Sequence, residues 1–382
     1  MKVFFSTGEA SGELLASDLL AAMRERIPID AEAIGDVRLE RAGARLVQRT
    51  RGWASLGPLD AIKKIPRLWA IMARTALRLR RNPPDVVVLV DFGAFNLRLA
   101  RSLRLLGFRK PIVYYVPPAA WLDNPKRARL VAQLSDALTI FRHQAEFYRS
   151  LRLPVGFIGH PLASTIVPRA RPAAPPAGGG HIALLPGSRN GEIERHTPRL
   201  LDALARVREV RPDVHATLVA ADDDAQRHME HLLAFRSPLP IAISRDARGT
   251  LEGADVAAVA SGTAVLEAAL VETPAVALYV LSEAQAKIAR RVYRGRYITL
   301  PNLVLDEPVV PELVQEEATP SALASAILAL LDDPDRQRRG YARVREALGP
   351  PDALQRNADW VLRVVAEADP VVARVLGESR LA

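Results

Sequence analysis

The chain has 382 residues, 49% of them hydrophobic and 25% charged, which is enough for two domains that each bury a core of their own. It contains no cysteine, and this excludes a disulfide framework, a thiol nucleophile and cysteine zinc sites. A net charge of +9 is compatible with an anionic membrane, small anionic molecules or an Arg-rich proteome; with aromatics at 5% and no binding motif, nucleic acid is not an expected partner.

The opening Met1-Lys2-Val3-Phe4-Phe5-Ser6 reads as a first strand rather than a signal peptide. No run of about 18 apolar residues offers a membrane span, so a cytoplasmic location is expected. Gly8-Glu9-Ala10-Ser11-Gly12-Glu13 follows that strand and opens a helix over residues 14–26. Gly8 and Gly12 would let backbone come close to a ligand, and Ser11 offers a hydroxyl. The spacing is not G-x-G-x-x-G, so no dinucleotide fingerprint is read, and a tight turn with a capping serine is the plain alternative.

Residues 62–81 form a helical stretch without an acid. Lys63, Lys64, Arg67, Arg74, Arg78, Arg80 and Arg81 alternate with Ile62, Ile65, Leu68, Trp69, Ile71, Met72, Leu77 and Leu79. Two readings stand side by side, a membrane-surface element and an ordinary helix covering a sheet with its arginines in water. The continuous apolar run Val86-Val87-Val88-Leu89-Val90 predicts a parallel strand over 85–91, covered on both faces. Asp91 ends it, where partial desolvation could raise a carboxylate's pKa toward general-base work; capping the helix over 97–106 is the structural alternative. Strands at 112–116, 137–141 and 156–158 and a helix at 126–134 complete this half. Gly159-His160-Pro161 closes it; His160 could touch a phosphate, but a structural histidine of the turn is the preferred reading.

The Pro/Ala/Gly run over 168–180 is the clearest linker. Alternation then resumes, with strands at 181–185, 215–220, 241–244, 255–260 and 275–279. Helices are expected at 196–210, 225–234, 264–271 and 322–331, and a tail helix at 352–368. The domains are therefore placed at 1–167 and 181–350, with a helical tail over 351–382.

Two strand-to-helix turns in the second half carry the chemistry. Leu185-Pro186-Gly187-Ser188-Arg189, with Glu192 beyond it, offers small residues, backbone N–H groups and a guanidinium fork. Ser261-Gly262-Thr263, followed by Leu266-Glu267, repeats the arrangement with a carboxylate one turn into the helix, suited to a ribose diol. Small turns before helices are common. Two in one half-chain point to a nucleotide-diphosphate site without a P-loop, at the carboxyl ends of strands where open α/β sheets bind ligands. Asp222-Asp223-Asp224 is read as solvated or capping carboxylates, with a metal site as the lesser alternative; the histidines lack metal-ligand spacing. The architecture expected is two doubly wound α/β domains facing a cleft, shared by GT-B glycosyltransferases and some sugar-nucleotide epimerases.

These motifs occur together with Phe95-Asn96, Leu300-Pro301-Asn302-Leu303, Pro311-Glu312-Leu313 and Gln315-Glu316, in one order. With that set the chain resembles the lipid-A-disaccharide synthases over nearly its full length. The resemblance implies a GT-B fold and an inverting transfer without metal or cofactor. In that reaction 2,3-diacylglucosamine passes from UDP to the 6-hydroxyl of 2,3-diacylglucosamine 1-phosphate, giving a β-1′,6 disaccharide and UDP. It implies Asp91 as the catalytic carboxylate and Arg189 at the UDP site, with Gly187, Ser188, Ser261, Gly262 and Thr263 beside it. Glu267 would bind ribose, and Asn302, Gln315 and Glu316 would line the donor pocket. Gly8, Glu9, Ser11, Gly12 and Asn96 fall on the acceptor side. The partners expected are a UDP-linked acylated glucosamine, a lipid acceptor and the inner face of the cytoplasmic membrane, reached peripherally; a homodimer is one option, since the sequence does not give the oligomeric state.

The departures from the family pattern cluster in the first half. Glu13 stands for an Asp, and Phe92-Gly93-Ala94 lacks a second Asp. Pro117-Pro118-Ala119-Ala120-Trp121-Leu122-Asp123-Asn124 replaces a Trp- and Arg-bearing loop, and Arg142-His143-Gln144 replaces Pro-Phe-Glu. They leave the acceptor less defined than UDP. A GT-B transferase with another acceptor, a UDP-sugar epimerase and a membrane-associated binding protein without catalysis remain as alternatives.

Overall fold

The computed structural model describes residues 1–50, 53, 58–117, 124–168, 180–234, 241–293, 295–370 and 372–374. The chain divides into two compact units, Met1–Thr165 with the chain from Leu348 on, and Ile166–Ala347.

The first unit runs β1 (Lys2–Ser6), α1 (Ala10–Arg24), β2 (Asp30–Gly35), α2 (Val37–Arg41), β3 (Arg45–Arg49) and α3 (Pro58–Arg81). It continues with β4 (Val86–Val90), α4 (Gly93–Leu105), β5 (Ile112–Tyr115), α5 (Pro125–Leu134), β6 (Asp136–Thr139), α6 (Arg142–Ser150), β7 (Gly156–Phe157) and α7 (Leu162–Thr165). The strands form one sheet in the order β3-β2-β1-β4-β5-β6-β7, and every neighbouring pair is parallel. The apolar run of β4 is buried at every position, because a central parallel strand is covered on both faces. Val87 and Leu89 pack with Ile71, Ala76 and Leu79 of α3 and Phe95, Leu99 and Leu103 of α4.

The second unit runs β8 (His181–Leu185), α8 (Asn190–Val210), β9 (His215–Val219), α9 (Asp223–Ala234), β10 (Ala242–Ser244), α10 (Ala247–Gly253), β11 (Val256–Ala260) and α11 (Thr263–Leu270). Then follow β12 (Ala275–Tyr279), α12 (Glu283–Val292), α13 (Leu300–Leu305), β13 (Glu312–Val314), α14 (Pro320–Asp332) and α15 (Asp335–Leu348). Its sheet is parallel throughout, in the order β10-β9-β8-β11-β12-β13. Ile182, Leu184 and Ala258 meet Leu200 and Leu204 of α8 and Leu323 and Ile327 of α14 in one core.

The last helix, α16 (Ala353–Ala368), returns to the first unit and packs on α1. Asn357 donates to the Gly159 carbonyl and to the Tyr115 hydroxyl, both at 3.2 Å. Lys110 pairs with Asp369 at 3.0 Å and Arg26 with Asp359 at 2.9 Å. The tail expected over 351–382 is thus, as far as it is described, a layer of the first unit.

Several elements depart from expectation. β2 and β3 were not anticipated, since Asp30-Ala31-Glu32-Ala33 is rich in helix formers and β3 is a short edge strand bounded by arginines. Helix α8 begins at Asn190 rather than 196, which puts Glu192 and His196 on it. Apart from Pro168 and Gly180, the expected linker lies outside the described residues, as do positions 118–123 and the side chains of Ile62, Lys63 and Lys64.

Candidate functional site

In each sheet, two adjacent strands leave for opposite faces, and the carboxyl ends of that pair form the topological switch point. In the first unit the pair is β1 and β4, with Ser6 in register with Leu89. In the second it is β8 and β11, with Leu185 in register with Val259. The turns after these four strands carry Gly8–Glu9, Asp91–Phe92, Gly187–Arg189 and Ser261–Gly262. Each predicted turn therefore lies beside a second one at the switch point of its own unit.

Asp91 and Phe92 both adopt left-handed backbone, with φ of 45°. For residues with a side chain that conformation costs of order 1 kcal/mol or more and persists only where the surroundings impose it. Here the Asp91 carbonyl accepts from Asn96 Nδ2 at 3.0 Å and from the Tyr114 hydroxyl at 2.9 Å, while Asp91 N donates to the Tyr115 carbonyl at 3.2 Å. Phe92 packs against both Trp53 and Phe95, with ring centroids 5.8 and 5.9 Å away. The room over Gly8 is taken by the Phe92 ring, which a Cβ there would overlap, and a Cβ at Gly12 would stand 3.7 Å from that of Asp91. Gly8 thus accommodates the Asp91–Phe92 turn itself, whereas a Cβ at Gly12 would make only ordinary van der Waals contact with it.

Asn96 is wholly buried. Its Nδ2 also donates to the carbonyls of Ser6 and Val90, each at 3.1 Å, and its Oδ1 accepts from the Ser6 hydroxyl at 2.6 Å. The side chain is spent on joining the ends of β1 and β4. Glu9 is half-buried just before α1, and Ser11 lies in the first turn of that helix.

The departing residues of this half have local partners. Glu13 is buried, and its Oε1 accepts from Asp36 N at 2.8 Å and Leu39 N at 3.1 Å, at the start of α2. Buried Gln144 donates from Nε2 to the Pro117 carbonyl at 2.7 Å and accepts from the Thr139 hydroxyl. A carboxylate could not make the first of these bonds, so the amide suits this loop. His160 is buried against Phe141, accepts from Leu162 N at 3.1 Å, and has its pKa pushed down to about 3 by desolvation. The His160 backbone N–H donates to the Leu348 carbonyl at 2.7 Å, where the chain re-enters the first unit.

In the second unit Gly187 has φ +113°, and a Cβ there would come within 2.5 Å of the Glu192 carboxylate. Only glycine satisfies both conditions. Glu192 accepts from Ser188 N at 3.2 Å and Arg189 N at 3.3 Å, and its other oxygen lies 3.3 Å from the Arg189 guanidinium. Ser188 and Arg189 are exposed at the start of α8. Across the switch point Gly262 is exposed and Thr263 and Glu267 are half-buried on α11, while the Ser261 hydroxyl donates to the Ile298 carbonyl at 3.0 Å.

The residues expected to line a donor pocket are held differently. Asn302 is buried; its amide donates to Val310 O and Glu312, both at 2.8 Å, and accepts from Val310 N at 2.7 Å. Gln315 Oε1 accepts from Leu281 N at 2.5 Å, and exposed Glu316 pairs with Arg290 at 2.6 Å. Glu312, outside the expected site set, gathers Ile298 N, Thr299 N, the Thr299 hydroxyl and Asn302, and so shapes the segment that Ser261 contacts. Among the carboxylates at 222–224, Asp222 caps α9 through Ala225 N at 2.8 Å, Asp223 pairs with Arg245 and Asp224 with Arg227.

His196 went unnoticed in the sequence because its helix was expected to start there. It is buried, with Nδ1 at 2.7 Å from the Pro186 carbonyl and Nε2 accepting from Val280 N at 2.9 Å. Burial lowers its pKa, opposed by the Pro186 bond and by Glu192.

The family model for lipid-A-disaccharide synthetase matches residues 3–358. The chain belongs to the lipid-A-disaccharide synthase family. The synthase of Pseudomonas aeruginosa strain UCBPP-PA14 is 35% identical over 96% of this chain and 98% of its own length. That of Synechocystis sp. strain PCC 6803 is 34% identical over 95% and 97%. As a member of this family the chain is a glycosyltransferase of lipid A biosynthesis that takes a UDP-sugar donor. Among solved structures, the UDP-GlcNAc 2-epimerase of Neisseria meningitidis bound to UDP-GlcNAc aligns with TM-score 0.64 at 12% identity, covering 95% of this chain and all of the other. The calicheamicin glycosyltransferase CalG4 aligns with TM-score 0.59 at 17% identity, covering 97% and 99%. These likenesses establish the GT-B type of two-domain α/β fold.

Proposed function

We propose that the enzyme transfers 2,3-diacylglucosamine from UDP to the 6-hydroxyl of 2,3-diacylglucosamine 1-phosphate, with inversion, to give the β-1′,6 disaccharide and UDP. The observation that carries the reading is Asp91, held in a left-handed turn by Asn96, Tyr114 and Tyr115 at the switch point of the first unit. A backbone conformation maintained at such cost marks a carboxylate whose position matters.

Inversion needs one in-line displacement at the anomeric carbon. Asp91 takes the proton of the acceptor hydroxyl as general base. The acceptor oxygen bonds to the anomeric carbon as the bond from that carbon to the UDP oxygen breaks, with the electron pair leaving on the diphosphate. Arg189 and the Gly262 and Thr263 N–H groups at the head of α11 take that charge, while the Ser261 N–H is held by the Leu278 carbonyl at 3.0 Å, and Glu267 holds the ribose. The Ser188 and Arg189 N–H groups and the Arg189 guanidinium all face the Glu192 carboxylate; of these the guanidinium, on a flexible stem and exposed, is the group that can swing to the diphosphate, and it is the main contribution of its turn. Arg and oriented amides can supply the charge stabilisation that other transferases draw from a metal, and the reaction is assigned as metal-independent.

The substitution Asp91→Asn tests the role. It preserves shape and removes the base, so the fold and UDP affinity should persist while turnover falls by about 100-fold or more, the range of general-base catalysis. Turnover near that of the parent would remove Asp91 from the chemistry.

A peripheral membrane position belongs to the same reading. On α3, Ile65 is 44% exposed and Trp69 57%, while Ile71, Ala76 and Leu79 point into the core. Arg67, Arg74, Arg80 and Arg81 are exposed on the same helix, and Arg78 is engaged with Glu32 at 2.9 Å. Among the described residues no helix is long and apolar enough to cross a membrane.

A further inference from the structure

The backbone just beyond β12 is not satisfied by the sheet. Val280 N donates to His196 Nε2 at 2.9 Å, and the Val280 carbonyl accepts from Arg195 Nε at 2.8 Å, so successive residues of α8 grip both sides of one residue. The other ring nitrogen of His196 lies 2.7 Å from the carbonyl of Pro186, the residue that opens the Gly187–Arg189 turn. A backbone N–H can only donate and a carbonyl can only accept. Nε2 therefore carries a lone pair and Nδ1 the proton. The ring is neutral, in one tautomer, with both nitrogens used and no solvent contact.

We infer that His196 is a positioning residue for the UDP-sugar donor, tying the Pro186–Arg189 turn to the end of β12. This rests on reading that turn as part of the donor site. The turn is held at two places: its carbonyl at Pro186 by His196, and its N–H groups at Ser188 and Arg189 by Glu192, one helical turn earlier. Gly187 between them has no side chain to resist movement. Glu192 lies in α8 and moves with it, whereas His196 alone of the two reaches a different strand end. Without the imidazole, Pro186 O and Val280 N lose their partners in a buried place, and the turn keeps its attachment to β8 but loses its tie to the end of β12. Arg189, three residues beyond Pro186, is then less firmly aimed.

No other ordinary side chain supplies this donor and this acceptor on one flat ring. Phenylalanine keeps the ring and removes both bonds. Asparagine can return a donor near the Nδ1 position, and glutamine an acceptor near Nε2.

The test is UDP affinity by calorimetry on the full chain, for His196→Phe, His196→Asn, His196→Gln and Arg189→Ala, each well below its own melting temperature. KM values for donor and acceptor are measured alongside. His196→Phe should lose tenfold or more in UDP affinity and raise the donor KM by a similar factor, with the acceptor KM within twofold of the parent. Asn and Gln should each recover part of the loss. A purely structural histidine would lower the melting temperature but leave UDP affinity of the folded protein unchanged, and that result overturns the inference. Should the Phe variant not fold, Asn and Gln variants that both bind UDP like the parent overturn it equally. Arg189→Ala separates the two failures. If it binds UDP normally, the donor-site reading itself is wrong; if it loses affinity while the His196 variants do not, only the positioning role falls.

Discussion

At the scale of single residues, the structure divides polar side chains into those spent on the fold and those placed at strand ends. Asn96 and Asn302 belong to the first kind, with amides wholly committed to backbone and neighbours. Arg189 and Glu267 belong to the second. Arg189→Ala and Glu267→Ala are each expected to weaken UDP binding in calorimetry by at least about 1 kcal/mol, the lower range for a charge-assisted hydrogen bond. Unchanged affinity in both would displace the donor site from these turns. His160 provides a test of a different sort. Its pKa is pushed from 6.5 to about 3 by burial, so between those values the unfolded chain binds a proton that the folded chain refuses. Stability from this group is complete above the unfolded pKa and is lost as pH falls, at about 1.4 kcal/mol per pH unit. His160→Asn keeps an acceptor for Leu162 N and cannot titrate. Urea unfolding at pH 7, 6 and 5 should show a shallower loss of stability in the variant, and equal slopes would contradict the assignment.

At the scale of elements, α3 is the piece whose outer face asks for a partner. Near an anionic surface each basic residue contributes about 1 kcal/mol, screened beyond a Debye length. Trp69 adds an apolar contribution independent of salt. Sedimentation with anionic vesicles should fall as salt rises, fall again when Arg67, Arg74, Arg80 and Arg81 become Gln, and weaken with Trp69→Ser even at low salt. Equal binding by all would leave α3 a sheet-covering helix with a wet outer face. How legible an element was depended on what its residues do locally. The Val-rich run of β4 declares a buried parallel strand, and Pro186–Gly187 and Ser261–Gly262 declare turns, because those residue types have few other uses. The strand β2 was hidden because Ala and Glu favour helices, and β3 because it is a short edge strand bounded by arginines. The start of α8 was hidden by Gly191 and by charged residues at the head of the helix, so His196 was left without a context.

At the scale of the whole molecule, each unit carries its paired turns at a switch point of the same topology, and the sequence showed those turns without showing the strand order that pairs them. The return of the chain to the first unit was also illegible locally. It depends on Gly159, His160 and Asn357 meeting across long separations, a match that no periodicity records. Family membership establishes a UDP-sugar glycosyltransferase; the acylated donor, the acceptor, the inversion and the residue roles are proposed, and the acceptor is the least constrained of them, since the departures from the family pattern lie in the first unit. The most direct measurement is therefore a product assay with UDP-2,3-diacylglucosamine in excess EDTA, with and without 2,3-diacylglucosamine 1-phosphate. The account predicts a β-1′,6-linked disaccharide and stoichiometric UDP only when both substrates are present, with EDTA making no difference. An epimerised donor without acceptor, or no disaccharide with both substrates present, would contradict it.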